Sequence, residues 1–81
     1  MQITGPQLLR LLEKDGWKRR GIATHGVFVY KQFPGESVPR STVIPMRKQP
    51  LKEETLGGIL SMKQTRLGRA GLEELIVKYG L

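Results

Sequence analysis

The chain holds a single imidazole. His25 follows Lys18, Arg19 and Arg20 and precedes the apolar run Val27-Phe28-Val29-Tyr30. Histidine is the side chain whose ordinary pKa lets it give and take a proton near neutral pH. Placed beside cations, it could transfer protons on an anionic polymer. The plain alternative is an exposed or hydrogen-bonded histidine with no chemistry. The charge balance bears on the choice. The net charge is +7, and the first fifty residues carry nine Lys/Arg against three Asp/Glu. Such asymmetry points to a polyanion-facing side built mainly by the first half. Counterion release lets a patch of this kind bind phosphate backbones without further specialisation; otherwise it is a solvated basic surface. Lys18, Arg19, Arg20, Arg47 and Lys48 are candidate donors to backbone phosphate. Thr24, next to His25, can bond a phosphate or orient the ring, or simply favour the strand that follows.

Other chemistries have little to work with. There is no cysteine, hence no disulfide framework and no thiolate metal site. With one histidine, a zinc site would need several carboxylates, so neither metal nor cofactor is expected. Hydrophobic residues make up 38% and charged residues 26%, which suits a folded domain rather than a disordered chain. No apolar run reaches a membrane-spanning length. Pro6 and its polar neighbours stand where a signal peptide needs an apolar stretch, so a reducing cytoplasm is expected.

These residues must be positioned by one domain over residues 1–81. Thr4 and Gln7 have capping-box spacing, Pro6 fits the first turn, and Leu8, Leu9, Leu11 and Leu12 form a helical stripe that Gly16 ends in a left-handed turn. Trp17 to about Arg20 reads as a short strand anchored by Trp17, and Gly21 to Thr24 as a turn or bulge. His25 to Phe33 reads as the longest strand, with Phe28 and Tyr30 on one face and His25, Val27 and Val29 on the other. Pro34-Gly35 marks a turn, Arg40 to Ile44 a third strand, and Pro45 its end. A helix from about Lys52 to Met62 and a last helix from Gly68 to the Gly80 cap follow. The expected architecture is α+β: a three-stranded antiparallel meander with helices on one face. The other face is left open, and His25, Val27 and Val29 are expected on it.

In this order the motifs resemble the HicA-type mRNA interferase toxins of toxin–antitoxin pairs. Leu8-Leu9-Arg10-Leu11-Leu12-Glu13-Lys14-Asp15-Gly16-Trp17 is similar to that family's opening helix and its closing Gly-Trp. Ala23-Thr24-His25 with Phe28 resembles its Gly-Ser-His-His-x-Phe block. Ile44-Pro45 with Leu51-Lys52-Glu53-Glu54-Thr55-Leu56 resembles its Val-Pro segment and following helix start. Ile59-Leu60 and Lys63-Gln64 resemble its Ile-Leu-Lys-Gln run with two residues inserted. The resemblance implies a double-stranded-RNA-binding-domain-like α–β–β–β–α fold with an extra C-terminal helix. It also implies endoribonuclease activity on mRNA in a stress-response setting, His25 as the active residue, and a cognate HicB-type antitoxin. Five positions depart from the pattern. The family's second histidine is Gly26, its Gly-Ser is Ala23-Thr24, a common histidine after Val-Pro is Arg47, and a frequent glycine is Arg66.

A metal-free ribonuclease needs a group to move the ribose 2′-OH proton, charge to stabilise the phosphorane, and donors to hold the backbone. His25 suits the first role, and the cations suit the others. With no second histidine, Tyr30, a lysine or water must be its partner. An RNA-binding module of the same fold that does not cleave is the alternative. The antitoxin is expected to cover His25, Val27 and Val29, an apolar centre ringed by cations, on a toxin that is monomeric when free.

Overall fold

The computed structural model describes residues 2–81, with the side chains of all of these except Ile22 and Ala23. The order is α1 (Gly5–Lys14), β1 (Lys18–Ala23), β2 (Gly26–Lys31), β3 (Arg40–Ile44), α2 (Glu53–Ile59) and α3 (Gly68–Tyr79). This is the expected α+β arrangement, and the antiparallel sheet runs β1-β2-β3.

Local signals set α1. The Thr4 hydroxyl accepts from the Gln7 amide at 3.2 Å, and the Gln7 side chain accepts from the Thr4 amide at 2.9 Å. This reciprocal box satisfies two of the helix's otherwise orphaned donors. At the other end Gly16, at φ +99°, takes the left-handed turn that a Cβ disfavours. The Trp17 amide donates to the Leu12 carbonyl at 2.9 Å, and the Gly16 amide to Glu13 at 3.1 Å. That pairing closes the helix and carries Trp17 into the core beside Leu12, both buried.

The core is one cluster. Leu8, Leu9, Leu11 and Leu12 of α1 meet Val27, Val29 and Ile44 of the sheet, Leu56 and Ile59 of α2, and Leu72 and Leu75 of α3. Register decides which strand residues face it. Val27 pairs with Ile44 and Val29 with Thr42, so all four share the helix-covered face. Val29 is fully buried and Val27 is 8% exposed. The expectation of an open face carrying Val27 and Val29 is therefore corrected. Phe28 and Tyr30, paired with Val43 and Ser41, occupy the open face and are half-buried. Covering that side with two valines lets the leucine-rich helices pack closely on β-branched neighbours.

Element boundaries differ from the sequence reading in three places. Trp17 precedes β1, which runs on to Ala23 through a bulge between Arg19 and Ile22. β2 starts at Gly26 and stops at Lys31, leaving His25 in the turn. α2 ends at Ile59 because buried Thr65 folds back on it: its amide and its hydroxyl both donate to the Ile59 carbonyl, at 3.0 and 2.7 Å. Among the described residues no helix is long and apolar enough to cross a membrane.

Candidate nucleic-acid interface

The β1–β2 turn and the β3–α2 connection face each other at one end of the sheet. Three close approaches hold them there. Pro45 ends β3, and its carbonyl packs so tightly on Gly5 that a Cβ at Gly5 would lie 2.8 Å from the Pro45 carbonyl carbon. The Leu51 amide donates to the Ile3 carbonyl at 2.7 Å, and Thr4 bridges Pro50, so the connection is clamped to the start of α1. Gly26 lies against the end of β3, where a Cβ would overlap the Ile44 carbonyl oxygen and sit 2.7 Å from its carbon. No side chain fits at Gly26 without moving backbone.

Between these segments opens a cleft of about 900 Å³. Thr24 and His25 line one wall, and Arg47, Gln49, Lys52 and Thr55 the other, with Val27 at the base. Thr24, His25, Arg47 and Lys52 are all exposed. Among the described residues no carboxylate lines the cleft. Glu53, next to Lys52, is turned instead to Arg69 of α3 in an ion pair that holds its carboxyl below the usual carboxylate range. Among the described residues, each charged or titratable group facing the cleft is thus a cation or an imidazole, an arrangement complementary to phosphate.

The structure divides the sequence-derived binding set. His25, Thr24 and Arg47 come together in the cleft, and Lys48 stands exposed on the same connection. Lys18, Arg19 and Arg20 lie on edge strand β1. The Arg19 side chain is turned to α1, donating to the Glu13 carboxylate through Nε at 2.9 Å and Nη2 at 3.2 Å, contacts that raise its pKa and hold it charged. The Arg20 guanidinium lies 5.9 Å from the Tyr30 ring centre on the open face. Val29 lies outside the cleft altogether, and Val27 adds only an apolar base. An apolar docking centre made by the two valines is therefore not available to a partner.

Among known proteins, no family model, no curated protein and no solved structure matches the chain.

Sequence reasoning missed Lys52, Gln49 and Thr55. A signal for Lys52 existed. It is the N-cap of α2 and makes no side-chain capping bond. A cation at a helix N-terminus opposes the helix dipole, so its position there asks for a reason beyond helix stability. Among the described residues no group of three or more His, Cys, Asp or Glu side chains is placed to hold a metal ion.

Proposed function

We propose that the chain is an RNA endonuclease of the toxin kind its sequence resembles, acting in the cytoplasm on mRNA with His25 as its active residue. The observation that carries this reading is the position of the sole imidazole, exposed at the rim of a cleft lined by Arg47 and Lys52 and, among the described residues, by no carboxylate. The chemistry follows from the donors. His25 takes the proton of a ribose 2′-OH. The 2′-oxygen forms a bond to the adjacent phosphorus, and the bond from phosphorus to the 5′-oxygen breaks. That oxygen leaves with a proton from water or from the imidazolium. Arg47 and Lys52 neutralise the charge that builds on the phosphorane, and Thr24 donates to a non-bridging oxygen. The positive φ of Arg66, +60°, also suits the resemblance, because the family's frequent glycine at that position would relieve it.

One observation favours the runner-up, an RNA-binding module that does not cut. Gly26, at the family's second histidine, is closed to any side chain by Ile44, so acid–base work falls on one imidazole. Product ends separate the two readings. RNA incubated with the chain in excess EDTA should give 2′,3′-cyclic phosphate and 5′-hydroxyl ends, and 2′-O-methyl RNA should stay intact. Binding without any cut in either RNA would leave the module as the function. A HicB-type antitoxin, on this reading, inhibits by filling the cleft over His25, with acidic side chains against Arg47 and Lys52.

A further inference from the structure

We propose that the open face of the sheet, outside the cleft, is a binding platform for single-stranded RNA, with Phe28 and Tyr30 stacking on bases and Lys18 and Arg20 holding phosphates. The proposal rests on the reading of RNA as the ligand but not on cleavage. Charge sorting on the sheet is its first support. The three strands carry five Lys/Arg and no Asp/Glu. Arg19 is paired with Glu13, Lys31 with Asp15 and Arg40 with Glu36. Lys18 and Arg20 have no carboxylate partner among the described residues, and these two belong to the open face: Lys18 is opposite Tyr30 in register, and Arg20 lies over the Tyr30 ring. A surface with unpaired cations and no acid is complementary to a polyanion.

The aromatic geometry is the second support. Phe28 and Tyr30 are two residues apart on the central strand, so they point the same way and stand about 6.6 Å apart. Bases in a duplex stack at about 3.4 Å and show only their edges. The platform's spacing instead suits bases splayed from a single strand, each on its own ring, and base–aromatic stacking of this kind tolerates any sequence. β2 begins at Gly26, one residue from His25, so a strand lying along β2 leads into the cleft.

The test is fluorescence anisotropy with a labelled twelve-nucleotide oligouridylate and with an RNA duplex of the same length, on the intact chain. The double variant Phe28→Ala/Tyr30→Ala should bind the single strand at least about tenfold more weakly, given about 1–3 kcal/mol per stacked base. Tyr30→Phe keeps the ring and should bind as the parent does. Lys18→Gln/Arg20→Gln changes only exposed side chains, so its folding is secure. It should lower the slope of log affinity against log salt by about 1.4, the loss of two single-strand phosphate contacts. Single-strand affinity unchanged in both double variants overturns the proposal and leaves this face to a protein partner. Tighter binding of the duplex than of the single strand also overturns it. If the parent binds the oligouridylate and the variants do not, the platform stands even where no RNA is cut, and only the cleavage reading falls.

Discussion

Gly26→Ala separates a structural cause from a propensity argument by its sign. In an unobstructed strand, alanine in place of glycine stabilises by roughly 0.5–1 kcal/mol, because glycine loses more conformational freedom on folding. Here the added Cβ meets the Ile44 carbonyl and lies 3.1 Å from the Pro45 nitrogen. Those are backbone atoms at the end of β3, tied to the helix layer through Gly5 and Pro45, and they cannot swing aside as a side-chain tip does. Overpacking of this type costs about 1–3 kcal/mol. A domain of this size has about 5–10 kcal/mol in all, so the loss is a large share. With a urea slope of about 1 kcal/mol per molar, the unfolding midpoint of Gly26→Ala should fall by about 1–3 M at unchanged slope. Gly26→His, which restores the imidazole of the resembled family, should fall at least as far and gain no cleavage. A midpoint that rises in Gly26→Ala would refute the close packing at the cleft and the argument that a second histidine is excluded there.

Arg66 has φ +60°, where a Cβ costs roughly 1–2 kcal/mol, so Arg66→Gly should be more stable than Arg66→Ala by about 1 kcal/mol; equal urea midpoints would contradict the backbone assignment. The Glu36 carboxyl is lowered from its ordinary value, first by its hydrogen bond to the Arg40 guanidinium. A depressed carboxylate stabilises the fold above its unfolded pKa and loses that contribution as pH falls through its folded one, so Glu36→Gln should be less stable than the parent at neutral pH and converge with it well below the carboxylate range. Parallel stability curves for the two proteins down to strong acid would show that the Glu36–Arg40 pair contributes nothing.

What could be read in the sequence was what short-range chemistry decides. Thr4 and Gln7 mark the start of α1, Gly16 marks its end, and Arg40 to Ile44 is bounded by Pro45; all stand in the structure as read. The facing of β2 was not legible. Period-two alternation is the same whichever side is buried, and the choice between Val27/Val29 and Phe28/Tyr30 was settled by pairing with Ile44 and Thr42, fifteen or so residues on. α2 looked longer because its apolar spacing continues, whereas a buried threonine, Thr65, captures the Ile59 carbonyl. The cleft was half legible. The chemistry of His25, Thr24 and Arg47 marks them in the sequence. Their meeting depends on Ile3 bonding Leu51, a contact with no sequence signal, and the same contact brings in Lys52.

The most direct measurement compares purified parent and His25→Ala on one labelled single-stranded RNA under single-turnover conditions with EDTA present. His25 is exposed in a turn, so its removal should leave the urea midpoint and the RNA affinity within error of the parent. The cleavage rate should fall by at least about a hundredfold, the usual scale for loss of a general base. Parent and variant cutting at the same rate, at equal purity, would contradict the assignment of the chemistry to His25.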